Sequence, residues 1–308
     1  MPQLFVEGWA PEYGAAVDPD DELSPADVDT DVEDRPWEPV PGEDDGIPVV
    51  AFVDGVRRID ARLVLDHPDG PVPGMCGSYG VGAVLWRRHE RRSEPTEPII
   101  DRVALLAGGH LPSLPASAPA YRPVSVADDD PSSLIRIFHD EMRRAEARVT
   151  EELAASGYFV VADGPLYEYT DTPKMGYVKS HRRSYLEGEH GALISVLPAG
   201  HRTPVFAFGQ VGFRRYSWYV RLADRGTGHS WAAIARCEAS AQLGLDAVVT
   251  IADRSAALLP GVGSEAHIDP RAPQNLVPIA ALERDLRHRL GDAGLVYRAL
   301  RAAVMEAA

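Results

Sequence analysis

The chain has 308 residues, 45% of them hydrophobic, which suits a soluble globular fold, and no apolar run approaches the roughly 18 residues of a membrane span. Its two cysteines, Cys76 and Cys237, lie far apart with no CxxC spacing, which excludes a disulfide scaffold or a cysteine zinc site and reads as two reduced thiols. The net charge of −15 argues against a nucleic-acid partner until it is located: residues 1–45 hold 15 acidic side chains against Arg35 alone, a charge of −14, so the remaining 263 residues carry −1 and have room for a local basic groove.

The N-terminus has no basic stretch leading into an apolar one, so the cytoplasm is the expected location. Residues 1–46 are rich in Asp, Glu and Pro and lack apolar periodicity, so they read as a flexible acidic arm with sparse anchors at Leu4, Phe5, Trp9, Tyr13 and Trp37. Order is expected from Ile47, and residues 47–308 read as one domain.

Pro48 to Val53 is a short apolar run ending at Asp54-Gly55, the pattern of a buried strand meeting a turn. Arg58 to Leu65 alternates as its hairpin partner and turns at Asp69-Gly70; Gly80 to Arg87 is a third strand, and 112–123 a Pro- and Ala-rich connector. Asp130-Pro131-Ser132 opens a helix on which Leu134, Phe138, Met142, Ala145, Val149 and Leu153 recur at helical spacing until Gly157. Tyr158 to Ala162 is a second buried strand ending in Asp-Gly, here Asp163-Gly164. Further strands are predicted at 191–197, 204–209, 216–222 and 247–251, and helices at 230–243, 278–290 and 292–306. The order predicts an α/β fold, a mixed sheet flanked by helices.

Two apolar strands that each close on Asp-Gly are the central observation. A strand delivers its last carboxylate to a sheet edge, and the glycine lets backbone or substrate come close. Side by side, Asp54 and Asp163 would share hard cations such as Mg²⁺ or Mn²⁺, and two such ions clamp the attacking and leaving oxygens of a phosphodiester. On the intervening helix Glu141 and Glu146 both border the apolar face. Lys174, Lys179, Arg182 and Arg183, interleaved with Tyr169, Tyr177 and Tyr185, form a candidate strand-binding segment in which bases neutralise phosphates and rings stack, extended by Arg57 and Arg58. Lys174 and Lys179 are the only lysines among 31 basic residues.

These segments resemble the NurA family. Phe52-Val53-Asp54-Gly55 with Arg57-Arg58-Ile59 is similar to that family's first motif, and Val161 to Leu166 to its second; Met175 to Ser180 resembles its Gly-x-Val-Lys segment. His267, in Ala266-His267-Ile268-Asp269-Pro270, falls where the family has a late metal ligand. Val56 departs from the small hydroxyl residue usual there. Over roughly residues 47–290 the resemblance implies an RNase H-like fold and a Mn²⁺- or Mg²⁺-dependent DNA nuclease that processes DNA ends in repair or defence. It implies two ions held by Asp54, Glu146 (preferred over Glu141 on spacing), Asp163 and His267, with Lys179 stabilising developing charge. It also implies a HerA-like hexameric ATPase as partner and a homodimer. A non-catalytic DNA-binding subunit and an RNase H-like enzyme acting on RNA–DNA hybrids are the alternatives.

Overall fold

In a computed structural model, residues 28–179, 185–209, 214–226 and 228–307 are described. The strands are β1 (Val40–Pro41), β2 (Val49–His67), β3 (Gly70–Arg87), β4 (Arg92–Pro95), β5 (Ile99–Leu106), β6 (Arg122–Ser125), β7 (Phe159–Asp163), β8 (Lys174–Val178), β9 (His201–Arg202), β10 (Phe206–Phe208), β11 (Arg215–Arg221) and β12 (Ile234–Ser240). The helices are α1 (Pro131–Ala155), α2 (Gly188–Val196), α3 (Leu245–Leu258), α4 (Val277–Arg289) and α5 (Ala293–Ala307). The strand order is β1-β9-β11-β12-β8-β7-β2-β3-β5-β6, with β10 against β11 and β4 against β3. Antiparallel β11–β12 and β3–β5 pairs with parallel β7–β8 and β5–β6 pairs make this a mixed sheet, and helices flank it. Among the described residues no helix is long and apolar enough to cross a membrane.

The chain divides into two compact units. The first takes in the described residues up to Phe52, Val84–Glu94 and Thr150–Ala280. Its strands have apolar groups on both faces. On one, Val50, Phe52, Phe159, Val161, Met175, Tyr177, Cys237 and Trp218 pack with Val248, Ile251 and Ala252 of α3 and with Leu276 and Ile279. Trp218 also donates its indole N–H to Ser255 of α3, 2.9 Å away. On the other face Phe206, Phe208, Tyr219 and Ile234 pack with Leu193 and Ile194 of α2. The second unit comprises Val53–Ala83, Pro95–Val149 and Ala281–Ala308. There Leu134, Phe138, Met142 and Ala145 of α1 cover Met75, Tyr79, Val81, Val103 and Leu105, with Gly77 leaving room for the Phe138 ring. Leu300 of α5 packs on Cys76 and Ala104.

Several expectations are corrected. Asp54-Gly55 is not a turn: β2 runs straight through it for 19 residues before turning ahead of Gly70. Residues 191–196 of the strand expected at 191–197 belong instead to a short helix, α2, because a short apolar run is compatible with either period. The Ala-rich stretch 230–243 reads as helix on propensity, yet Ile234–Ser240 is a strand buried at every position; its small residues let α3 come close. Conversely, 247–251 is β-branched but helical, since Val248, Ile251, Ala252, Ser255 and Ala256 form a buried helical stripe.

Order also starts before Ile47. Asp29 bridges Ala207, and β1 pairs with β9. Glu33 accepts hydrogen bonds from Arg202 at 2.8 and 2.9 Å, and Asp44 and Asp45 pair with Arg88 and Arg254. The Trp37 indole donates to the His190 carbonyl at 3.2 Å. From residue 28 onward the acidic segment is therefore a docked strap, because each of these carboxylates meets a guanidinium. Residues 1–27 lie outside the described residues.

Candidate metal centre

In β2, β7 and β8, neighbours in the sheet, alternate residues point into the same core: Val50 and Phe52, Phe159 and Val161, Met175 and Tyr177. Two residues further on, each row ends in a charge: Asp54, Asp163 and Lys179. Helix α4 continues the pattern, since Leu276 and Ile279 lie in that core and Glu283 follows Ile279 by one helical turn. Asp54, Asp163 and Glu283 each offer a carboxylate oxygen, all within 4.8 Å of one another, and Asp54 and Glu283 are buried.

The Lys179 ammonium lies 2.6 Å from Asp163 and donates to the Asn275 side-chain oxygen at 3.1 Å. Asn275 donates in turn to Asp269 at 2.6 Å, and Arg271 closes on Asp269. Burial opposes the charged form of Asp269, but the hydrogen bonds from Asn275 and Arg271 outweigh it and hold its carboxyl below the usual value. The turn after Asp163 is equally fixed. Gly164 takes a left-handed φ of 94° and donates to the Tyr177 carbonyl at 2.8 Å. Gly176 leaves space for the Gly164 carbonyl, and buried Glu238 accepts from Leu166 N–H at 2.9 Å and Tyr169 O–H at 2.8 Å.

Three carboxylates so close repel: at an effective dielectric of about 20, each pair costs roughly 3 kcal/mol. Hard oxygen donors this close suit Mg²⁺ or Mn²⁺, so the residues present fit a divalent cation. Asp54 also accepts its neighbour Gly55 N–H at 2.7 Å, which orients the carboxylate.

The remaining expected residues separate. Glu146 is not in the set; its carboxylate fills the space a side chain on Gly55 would need, and Gly55 faces the other way from Asp54 along β2. Arg143 lies 3.9 Å from Glu146, and the exposed Arg57 is within electrostatic reach of both. His139, one turn before Arg143, has its pKa pushed down to about 4 by burial and then by Arg57 and Arg143. Glu141 instead pairs with Arg122. His267 sits on an exposed turn 3.3 Å from Glu265 and outside the set.

Of the expected DNA contacts, Lys174 is buried against Glu151, Thr170 and Thr172, because a lysine inside a strand must find oxygens there. Arg58 donates to Asp60 at 2.8 Å and to the Leu290 and Gly291 carbonyls just beyond α4, so it acts as a clamp. Arg182 and Arg183 lie outside the described residues. Sequence reading missed Glu283 and Asn275. Glu283 was visible as one acid inside the apolar row Leu276, Ile279, Leu286, Leu290; Asn275 carried no signal.

No protein-family model and no curated protein matches the chain. Among solved structures it is similar to the NurA nuclease from Sulfolobus solfataricus, at 10% identity and a TM-score of 0.41 over 82% of this chain and 85% of that one. It is also similar to the catalytic domain of human Endonuclease V (15% identity, TM-score 0.35, 80% and 85% covered) and to Endonuclease V from Bacillus subtilis (13%, 0.34, 84% and 89%).

Proposed function

We propose that the chain is a divalent-metal-dependent DNA nuclease of the NurA kind. One observation carries the reading: Asp54, Asp163 and Glu283 each offer a carboxylate oxygen within 4.8 Å of the others, with the Lys179 ammonium at Asp163. In this reading the three carboxylates hold Mn²⁺ or Mg²⁺, with Glu283 in the place expected for His267. Bound cations would supply Lewis-acid stabilisation of the phosphodiester during hydrolysis. Lys179 holds its ammonium at Asp163, where it can neutralise charge developing on phosphate oxygens. Glu146 is assigned a supporting role: packed on Gly55 and paired toward Arg143, it fixes the backbone next to Asp54. Arg57, exposed two residues beyond Gly55, is the remaining described candidate for a strand contact.

The test is cleavage by the purified chain of end-labelled single-stranded DNA, duplexes with different ends and RNA–DNA hybrids, with Mn²⁺, Mg²⁺ or EDTA. Metal-dependent loss of DNA, abolished by Asp163→Asn, is expected. No cleavage of any DNA in either metal would overturn the reading, and cleavage confined to hybrids would replace it with an RNase H-like activity. The proposed partners, a HerA-like hexameric ATPase and a second copy of this chain, are tested by co-purification with that ATPase and by solution mass.

A further inference from the structure

The loop between α3 and α4 holds a buried polar side chain that the reading above leaves without a role. Asn275 is fully buried, and every hydrogen-bonding group it has is directed. Its backbone N–H donates to the Arg271 carbonyl at 3.0 Å, and its carbonyl accepts from Ser264 N–H at 3.1 Å. Its side-chain nitrogen donates to Asp269 at 2.6 Å. Asp269 accepts further from the backbone N–H and guanidinium of Arg271, so it is a fixed acceptor. An amide whose nitrogen must face a carboxylate can turn only its oxygen the other way. That oxygen meets the Lys179 ammonium at 3.1 Å, and the same ammonium lies 2.6 Å from Asp163. A lysine side chain has four rotatable bonds and no geometric fork of its own, so its position is set by its acceptors.

We propose that Asn275 is the positioning residue of the metal centre: fixed by Asp269, its amide oxygen holds the Lys179 ammonium in place at Asp163. When a cation occupies the carboxylates, Asn275 is the neutral acceptor that keeps the buried ammonium at the site. The catalytic consequence rests on the nuclease reading, whereas the hold on Lys179 does not.

The chain contains two lysines, Lys174 and Lys179, so ¹⁵N-lysine labelling of the full protein gives two side-chain signals, assigned by the loss of one in Lys174→Arg. In Asn275→Leu the Lys179 ammonium should exchange with solvent at least about tenfold faster while Lys174 is unchanged, since one charge-assisted hydrogen bond is lost. With Mn²⁺ and DNA, kcat should fall by roughly tenfold or more with KM within about twofold, the split expected when an interaction acts in the transition state. Asn275→Asp should be impaired, because it sets a second carboxylate on Asp269. The swap Asp269→Asn with Asn275→Asp restores one donor and one acceptor and should recover most of kcat. An unchanged Lys179 signal, an Asn275→Leu kcat within about twofold of the parent, or a swap no better than Asn275→Asp alone would each overturn the proposal. A parent without nuclease activity removes the function proposed above, and the Lys179 signal then still decides whether Asn275 holds the ammonium.

Discussion

Glu283→Gln tests the metal centre at the residue that sequence reading passed over. Glu283 is buried and takes part in two of the three carboxylate pairs that lie within 4.8 Å. Each pair costs roughly 3 kcal/mol at an effective dielectric of about 20. Arg287, 3.3 Å from Glu283, and Lys179, 2.6 Å from Asp163, offset part of this. The net relief on neutralising Glu283 should be about 2 kcal/mol in the metal-free protein, a rise of roughly 3 °C in midpoint for a chain of this size. The same change removes a charged oxygen ligand, so the stabilisation that Mn²⁺ confers by binding the native state should largely vanish. Thermal melts in EDTA and in Mn²⁺ read both effects, and DNA cleavage should be lost alongside. A variant no more stable than the parent in EDTA that keeps its full Mn²⁺ increment would refute the assignment of Glu283.

Asp54→Asn and Asp163→Asn should each abolish metal-dependent cleavage while circular dichroism shows the fold retained; full activity in both would remove the carboxylates from the mechanism. Glu146→Gln should lower cleavage more than Glu141→Gln, since Glu146 packs beside the first aspartate whereas Glu141 is spent on Arg122; compared melts should show Glu141→Gln acting on stability instead. Glu33→Gln should destabilise by about 3 kcal/mol in urea melts, because it leaves the buried Arg202 short of an acceptor. Burial disfavours the charged Glu33, but Arg202 and the Val205 N–H outweigh it and hold its pKa below 4.5, so its stabilisation is complete above about pH 4.5 and is lost as pH falls through the lowered value. Deleting residues 1–45 should lower the thermal midpoint, because the cut removes Glu33, Asp44 and Asp45 from their arginines.

The long amphipathic helix, the strands around Phe52 and Val161 and the two C-terminal helices were legible because their apolar period was unambiguous. What failed was wherever a neighbour outvoted a local signal. Asp54-Gly55 has turn chemistry, but β2 continues through it, and the glycine serves Glu146 rather than a bend. Ile234–Ser240 is a strand made of small residues because it is covered on both faces; nothing within that segment announces what lies above and below it. The site was half legible for a related reason. Asp54 and Asp163 stand at the ends of apolar rows that a period of two reveals, while Glu283 needs the helical row through Leu276 and Ile279 to be superposed on the same core.

Charge was readable as an amount and not as a set of contacts. Counting placed −14 in the first 45 residues, yet within that segment Asp29, Glu33, Asp44 and Asp45 meet Arg214, Arg202, Arg88 and Arg254. A composition that uses 29 arginines and two lysines already favours such pairing, since a planar guanidinium holds a carboxylate in a fixed fork. The exceptions then gain meaning. Both lysines are buried within reach of a carboxylate, Lys174 at Glu151 and Lys179 at Asp163. Lys174 is enclosed by threonine hydroxyls and Glu151, a sink for its charge on a strand. Lys179 faces a carboxylate that belongs to a cluster and donates also to an amide oxygen. A compact ammonium held that way can face a phosphate where a forked guanidinium would close on the aspartates, and that difference is the reason to expect function at Lys179 and structure at Lys174.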